Sequence, residues 1–283
     1  MWRRFTLRCA MLWRPTEQAA LRVSDPRAFS ARAQPLSQPL RGPLRGPLQR
    51  HARGSIMVVL AGLLGLLALV VVALQLWYLA HIVWWRSHPP ASTSFMRAQL
   101  AVLRAQDPNA RIAYQWVPYE RIAPHLKRAV IAAEDANFTV HEGVDWDAIE
   151  KAHERNQRSG KVIAGGSTIT MQLAKNLFLS GERSYLRKVQ ELLITYMLEA
   201  VLSKDRILEI YLNVAEWGVG TFGCEAAARK LYGVSAARLS VSQSARMAAM
   251  LPRPRFYERN PGHPGLLRRA AVIQRWMGAV QTP

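Results

Sequence analysis

The chain has 283 residues, which limits it to one large domain or two small ones. Half of the residues are hydrophobic, as in an ordinary globular protein, but the formal charge of +19 is extreme. Residues 1–53 hold eleven arginines and two acids, a net charge of +9, which leaves 27 basic and 17 acidic groups, a net of +10, for the other 230 residues. About half of the positive charge therefore lies in an N-terminal tail.

The tail, residues 1–53, is rich in Arg, Pro and Gln and contains a tandem RGPL repeat at Arg41–Leu48. A segment with so few apolar groups to bury is predicted to be disordered. Its arginines suit attraction to anionic lipid headgroups at the cytoplasmic face of a membrane. The pattern favours a simpler explanation: charge that sets membrane topology, or sequence upstream of the true start, since Met11 and Met57 also offer start codons.

A transmembrane anchor is predicted over residues 54–85, which contain no Asp, Glu, Lys or Arg. The nineteen residues Ile56–Leu74 carry no polar side chain, and a helix of that length matches the ~30 Å hydrocarbon thickness of a bilayer. Trp and Tyr residues follow, as is typical of a membrane interface. The run is too long for the apolar region of a signal peptide and lacks a small-x-small cleavage site, so we predict that the anchor is not cleaved.

The arginine-rich tail sets the predicted orientation of this anchor. Because positively charged flanks stay preferentially in the cytoplasm, residues 1–53 are expected inside the cell and residues 86–283 outside. Cys9 and Cys224 would then lie on opposite sides of the membrane and could not pair. This excludes a disulfide framework.

The rest of the chain is predicted to be a stalk over residues 86–110 and one α-rich domain over residues 111–283. There is little of the period-two alternation that marks strands, and Gly and Pro separate the stretches that have a helical period. Those stretches are Pro124–Phe138, Ser167–Leu179, Tyr185–Leu202, Lys204–Asn213, Glu225–Tyr232 and Ser240–Leu251.

Glu134 is the first candidate for chemistry. Leu126, Val130 and Glu134 are spaced four residues apart, so the carboxylate shares the apolar stripe of its helix. Loss of hydration there would raise its pKa toward the working range of a general acid or base. A buried glutamate paired with a nearby arginine explains the spacing equally well.

The second candidate is the segment Gly165–Leu179. Two glycines free the backbone, and Ser167 is predicted to cap the following helix. Thr168, Gln172, Lys175 and Asn176 form one polar stripe, and a helix N-terminus with a lysine on the same face offers an anion site. An ordinary amphipathic surface helix is the alternative, although such a face usually carries more charge.

The third candidate is the segment Gly181–Glu191. Arg187 and Glu191 lie at i and i+4, with Arg183 one turn earlier, which would suit a pyrophosphate. The sequence alone favours a helix-surface ion pair of roughly 0.3–0.5 kcal/mol.

Two further patterns are rejected. Gly218–Gly223 matches GxGxxG, but the preceding stretch is predicted to be a helix and position 243 is Gln rather than an acid, so we predict a glycine loop and no nucleotide site. His141 and His153 lack the spacing of a metal motif, and no metal site is predicted.

Taken together, these segments resemble the glycosyltransferase domain of the peptidoglycan polymerases, the family of the class A penicillin-binding proteins. The resemblance covers roughly residues 115–255, with five motifs in the family's order and spacing. The motifs are Glu134-Asp135-x-x-Phe138-x-x-His141-x-Gly143, Gly165-Gly166-Ser167-Thr168-Ile169-Thr170, Gln172-Leu173-x-Lys175-Asn176, Arg187-Lys188-x-x-Glu191, and Lys204-x-x-Ile207-Leu208-Glu209-x-Tyr211-Leu212-Asn213.

The single anchor and short chain resemble the monofunctional biosynthetic branch of that family. The resemblance implies a mainly α, lysozyme-like fold of two lobes, with the active cleft between them and one lobe against the membrane. It implies a polymerase that transfers the growing undecaprenyl-pyrophosphate-linked glycan onto the 4-hydroxyl of lipid II, with inversion and release of undecaprenyl pyrophosphate.

The resemblance also implies roles for individual residues. Glu134 would be the general base, and Glu191 would assist near the donor phosphate or a divalent metal. Lys175 and Arg183 would contact the pyrophosphate, beside Arg187 and Lys188. Ser167, Gln172 and Asn176 would line the donor side, and Asp135 and His141 would be structural supports.

The sequence departs from the family pattern at one position and lacks the second domain of the larger relatives. Met171 replaces a usual glutamine, which predicts at most a local change in substrate contact. Neither Ser-x-x-Lys nor Lys-Thr-Gly occurs, so no transpeptidase activity is expected. A wall-lytic muramidase or lytic transglycosylase of the same broad fold, and a non-catalytic division scaffold, are the alternatives.

The expected partners are lipid II, the nascent glycan strand and membrane lipid, with division or elongation proteins as further candidates. No nucleic acid or nucleotide is expected. The resemblance implies no required cofactor, although Mg²⁺ or Mn²⁺ is a candidate to assist the departure of the pyrophosphate. The expected location is the bacterial inner membrane, with the catalytic domain in the periplasm.

Overall fold

Helix α1, Leu48–Trp84, is the first element of the computed structural model, which describes residues 48–161, 165–182 and 184–283, with side chains from Met57 onward. Residues 1–47 of the predicted tail lie outside this described part. The stretch Met57–Trp84 contains an 18-residue window with a mean hydropathy of 3.0 and is long and apolar enough to cross a membrane. Its last turns enter the folded domain, where Tyr78 and Ile82 are buried.

The domain that follows is built mainly from helices, as predicted. Apart from α1, the helices are α2 (Ser94–Arg104), α3 (Pro124–Glu134), α4 (Trp146–Ser159), α5 (Ile169–Phe178), α6 (Tyr185–Val201), α7 (Lys204–Val214), α8 (Cys224–Tyr232), α9 (Val241–Met250), α10 (Pro254–Arg259) and α11 (Pro264–Trp276). Short 3₁₀ turns lie at Tyr119–Arg121 and Ala236–Arg238. Each of the six predicted helical stretches contains a helix within a few residues of its predicted ends.

Helix α2 lies within the segment 86–110 that the sequence analysis assigned to a stalk. Thr93 caps it by accepting a 3.1 Å hydrogen bond from Met96 N. Met96 is fully buried, Gln99 is 5% exposed, and the helix packs against α5. Part of the predicted stalk is therefore an integral helix of the domain, because its apolar face has a partner that lies 70 residues further along the chain.

The helices pack in two groups, in agreement with the two lobes predicted. Helices α3, α9 and α11 pack together, and α5 contacts α2, α6 and α7. Helix α7 is central, since every residue from Ile207 to Val214 is buried. Burial on all faces supplies its stability by removing apolar area from water at roughly 25 cal/mol per Å².

A small sheet completes the domain. Its strands are β1 (Ala113–Tyr114), β2 (Glu216–Gly218) and β3 (Thr221–Phe222), in the order β1-β3-β2. Strand β3 pairs parallel with β1 and antiparallel with β2. The predicted glycine loop at residues 218–223 is therefore part of a tight β-hairpin formed by β2 and β3. All three strands are only two or three residues long, which is too short to show period-two alternation in the sequence.

The last glycine of this hairpin explains why the segment mimics a dinucleotide fingerprint. Gly223 has a φ of +83°, and a Cβ atom there would lie 2.6 Å from the carbonyl oxygen of Asn213. Glycine is required because the backbone is left-handed and because another backbone approaches closely. The third glycine of the GxGxxG pattern is therefore needed for the backbone conformation at the end of the hairpin.

Candidate active site

Glu134 is the last residue of α3 and faces a cavity. Leu126 and Val130, on the same stripe, are fully buried, and the Glu134 side chain is 11% exposed. The cavity has a volume of about 400 Å³ and is lined by the end of α3, the following loop, the start of α4, Arg155 and the segment 165–168. The Glu134 carboxylate is therefore largely removed from water but can still be reached by a ligand in the cavity.

Burial raises the pKa of Glu134, in the direction predicted from its apolar stripe. Hydrogen bonds from Gln172 and Arg269 and the charge of Lys175 act against this rise without cancelling it. A carboxylate with a raised pKa accepts a proton more readily, which suits a general base near neutral pH.

Gln172 fixes one oxygen of this carboxylate. Its Nε2 donates a 2.9 Å hydrogen bond to Glu134 Oε2, and its Oε1 accepts a 3.0 Å hydrogen bond from the hydroxyl of Tyr211. Burial raises the pKa of Tyr211 well above its usual value, so the hydroxyl stays protonated and donates. The three side chains come from α3, α5 and α7 and join the two groups of helices at the site.

Arg269 of α11 fixes the other oxygen, and the sequence analysis missed it. Its Nη2 donates to Glu134 Oε1 at 3.2 Å and to the carbonyl oxygen of Ala133 at 3.1 Å. Helical periodicity could not reveal this contact, because 135 residues separate the pair. The arginine-paired glutamate left open by the sequence is thus present, but it lies on a cavity that can admit a ligand.

Asp135 and His141 shape the loop between α3 and α4. Asp135 accepts hydrogen bonds from His141 Nε2 (2.9 Å) and Ile169 N (3.0 Å). Asp145 caps α4 by accepting from Ala148 N at 2.8 Å. The side chains of Asp135, His141 and Asp145 lie close together, and the contacts within the chain fit the structural role implied for Asp135 and His141.

The N-terminus of α5 differs in one detail from the prediction. Thr168, not Ser167, is the N-cap: its Oγ1 accepts from Met171 N at 3.1 Å and donates to the carbonyl oxygen of Gly143 at 2.6 Å. The helix begins one residue later than predicted, so the capping position moves with it. Ser167 is left exposed at the cavity wall, where it can meet a ligand.

Helix α5 is a core helix and not the surface helix that the sequence left open. Ile169, Leu173 and Ala174 are fully buried. Met171, which departs from the family pattern, is 1% exposed. Its side chain packs inside the protein and offers no surface to a substrate in this structure.

Lys175 lies within electrostatic reach of both carboxylates predicted to be catalytic, Glu134 and Glu191. Burial lowers its pKa, whereas the charges of Glu191 and Glu134 raise it. Within the described ranges its ammonium group makes no hydrogen bond or ion pair, and its nearest aromatic neighbour is the ring of Phe95 at 5.8 Å. A partly buried cation with no partner is ready to bind an anion. Asn176, beside it, is half-buried.

Glu191 of α6 is 3% exposed and holds two cations. Arg187 Nη1 lies 2.7 Å from its Oε2, and Lys188 Nζ lies 2.5 Å from its Oε1. The i,i+4 pair predicted from sequence is therefore present but is not a surface pair, because its carboxylate is buried. The structure does not describe Arg183, so its predicted role stays a prediction.

Within the described residues, the last motif, Lys204–Asn213, makes contacts that hold the fold together. Asn213 exchanges hydrogen bonds with the backbone of Val117, through Oδ1 and Nδ2 at 2.9 Å each. Lys204 Nζ donates to Glu199 at 2.9 Å and to the carbonyl oxygen of His141 at 2.7 Å. These contacts tie α7 to neighbouring segments of the domain, and Tyr211 of the same motif reaches Glu134 through Gln172.

Comparison with known proteins decides the family. Residues 101–277, more than half of the chain, match the transglycosylase family model. The chain belongs to the transglycosylase family. The family's domain is lysozyme-like, and the mainly α fold described above agrees with this assignment.

Several curated relatives in the family share most of their length with this chain. A biosynthetic peptidoglycan transglycosylase of Herminiimonas arsenicoxydans is 60% identical over 215 residues, 76% of this chain and 93% of the relative. Relatives with the same description from Methylobacillus flagellatus and Bordetella pertussis are 56% and 57% identical over 219 and 218 residues, 77% and 76% of this chain and 96% and 90% of the relatives. These identities indicate a shared fold.

Proposed function

We propose that this chain is a glycosyltransferase that polymerises the glycan strands of peptidoglycan. It transfers the growing lipid-pyrophosphate-linked glycan onto the 4-hydroxyl of lipid II, with inversion. Membership of the transglycosylase family and relatives described as biosynthetic peptidoglycan transglycosylases support this activity. The observation that carries it is Glu134 on a cavity, with Lys175, which makes no hydrogen bond or ion pair to the described residues, within electrostatic reach of both Glu134 and Glu191.

Glu134 acts as the general base in this proposal. Its carboxylate takes the proton of the acceptor hydroxyl while that oxygen attacks the anomeric carbon of the donor sugar. The raised pKa and the two fixed oxygens support this role, because a base must combine proton affinity with a set orientation.

The cations of α5 and α6 bind the leaving pyrophosphate. A pyrophosphate needs its charge neutralised more than it needs a proton, so cations can replace the second carboxylic acid of a glycosidase. Lys175 makes no hydrogen bond or ion pair to the described residues, and Glu191 holds Arg187 and Lys188 in ion pairs close to it. Ser167, Gln172 and Asn176 belong to the donor side by the family resemblance.

Location, partners and metal dependence complete the proposal. The apolar helix α1 supports a membrane anchor, and anchoring raises the local concentration of a substrate that is confined to the bilayer. An N-terminus inside the cell, a periplasmic domain at the inner membrane, contacts with division or elongation proteins and assistance by Mg²⁺ or Mn²⁺ remain predictions.

The test is polymerisation of lipid II by the purified full chain in detergent. We expect muramidase-sensitive polymer from the wild type and none from Glu134→Gln. Glu142→Gln, an exposed glutamate in the next loop, is the matched control and should polymerise like the wild type. No polymer from folded wild type across detergents and divalent metals would favour a scaffold, and release of soluble sugar from isolated cell wall would favour a lytic enzyme.

A further inference from the structure

Arg269 is the residue near the cavity whose role neither the motifs nor the proposed function assigns. It reaches from α11 to the last two residues of α3, with Nη2 shared between Glu134 Oε1 and the carbonyl oxygen of Ala133. The side chain is 40% exposed, whereas its Nε is buried and makes no hydrogen bond within the described residues. Among the described residues, the guanidinium is therefore hydrogen-bonded only to the end of α3.

The charged and polar groups that face Glu134 come from several elements. Helix α5 brings Gln172 and Lys175, and α7 brings the neutral Tyr211. The neighbouring Asp135 is paired with His141. Helix α9 packs against both α3 and α11, but the side chain of its Arg246 donates to the carbonyl oxygen of Pro261. Arg269 and Lys175 are thus the two described cations whose charges act on the base.

These two cations differ in what happens to them during the transfer. Lys175 has no hydrogen-bonding partner among the described residues and lies close to the Arg187, Lys188 and Glu191 cluster, where the proposed pyrophosphate binds. A bound pyrophosphate would neutralise its charge and remove its influence on Glu134. Arg269 directly hydrogen-bonds the carboxylate, and a guanidinium keeps its proton at any working pH.

We propose that Arg269 is a positioning residue that keeps the carboxylate of Glu134 ionised and aimed at the acceptor hydroxyl while the donor pyrophosphate occupies the cations of α5 and α6. This proposal rests on the role of Glu134 as the base. The proton passes from the acceptor hydroxyl to Glu134 as the new C–O bond forms and the bond to pyrophosphate breaks. Arg269 stays protonated throughout and exchanges no proton.

The pH dependence of kcat/KM for lipid II polymerisation tests the proposal with Arg269→Gln. On the acid side, activity falls as Glu134 becomes protonated in the free enzyme. Loss of a neighbouring positive charge should move this acid limb to higher pH by about one unit or more. The loss of activity should therefore be about tenfold at the acid end and smaller at high pH.

Two variants make this result specific. Arg268→Gln removes the adjacent exposed arginine and should leave the acid limb in place, which also controls for titration of the substrate. Arg269→Lys keeps the charge and should restore most of the wild-type profile. If Arg269→Gln does not fold, Arg269→Met, which retains the apolar stem, gives the same measurement.

Other outcomes would overturn the proposal. An equal loss of activity at every pH would show that Arg269 only supports the packing of α11 on α3, and an unchanged profile would show that it has no role in the transfer. Failure of the proposed function looks different, because the wild type would then make no polymer or Glu134→Gln would still make it.

Discussion

The hydroxyl of Tyr211 donates a 3.0 Å hydrogen bond to the amide oxygen of Gln172. Because this oxygen is occupied, the amide nitrogen is the end that meets Glu134, at 2.9 Å. A buried tyrosine on the central helix α7 thereby decides which end of Gln172 faces the carboxylate of Glu134. The relationship links the core of the domain to the chemistry of the cavity.

Tyr211→Phe should lower kcat on the order of tenfold and leave KM nearly unchanged. Without the hydroxyl, the Gln172 amide can rotate and present its oxygen to the Glu134 carboxylate, which disfavours the ionised form. Steady-state polymerisation kinetics measure both constants. Tyr232→Phe, a half-buried tyrosine on α8 that does not line the cavity, is the control. A loss that appears only in KM would contradict this mechanism.

Glu134→Gln should be more stable than the wild type at neutral pH. The folded-state pKa of Glu134 is raised by burial above the unfolded value of about 4.3. The folded state therefore binds more protons between the two pKa values, and the wild type loses stability as pH rises through that window. Below pH ~4 the carboxyl is protonated in both states, so the difference should vanish.

Thermal unfolding of both proteins from pH 4 to pH 8 measures this difference. The Tm of Glu134→Gln should exceed that of the wild type at pH 8, and the two should converge at pH 4. A gap that stays constant with pH would show that the folded-state pKa of Glu134 is not raised.

Lys175→Met should separate stability from activity. The buried ammonium group of Lys175 makes no hydrogen bond or ion pair to the described residues, so its burial opposes folding, whereas methionine fills a similar volume without charge. We expect Tm to rise by roughly 2–4 °C, while the polymerisation rate falls on the order of a hundredfold because the leaving pyrophosphate loses a cation. Arg128→Met, at an exposed position of α3, should change neither value much. A lower Tm would indicate that Lys175 stabilises the fold.

Gly223→Ala should destabilise the protein more than Gly233→Ala. Both glycines have positive φ, +83° and +69°, so alanine costs about 1–2 kcal/mol at each. At Gly223 the new Cβ would also lie 2.6 Å from the carbonyl oxygen of Asn213, whereas no atom lies within 4 Å at Gly233. The expected loss at Gly223 is on the order of 3 kcal/mol or more. Urea unfolding of the two variants gives the difference, and equal losses would exclude the steric contribution.

The sequence by itself determined the features that depend on local pattern. The apolar run before Trp84 predicts an anchor, and the helical spacing of Leu126, Val130 and Glu134 predicts a carboxylate on a buried stripe. The spacing of Arg187 and Glu191 predicts their ion pair. Each of these depends on helical geometry over at most a few turns, so neighbouring residues contain the necessary information.

The tertiary structure alone decided which distant groups meet at the site. It brought Arg269 to Glu134 and Tyr211 to Gln172, turned Met171 inward, and paired strand β1 with strand β3. It also buried Glu191, so that the ion pair expected at a helix surface is instead a buried carboxylate that binds both Arg187 and Lys188. Such contacts join residues tens to more than a hundred positions apart. They depend on how helices pack, and the periodicity of a single helix shows which face is buried but not which partner covers it.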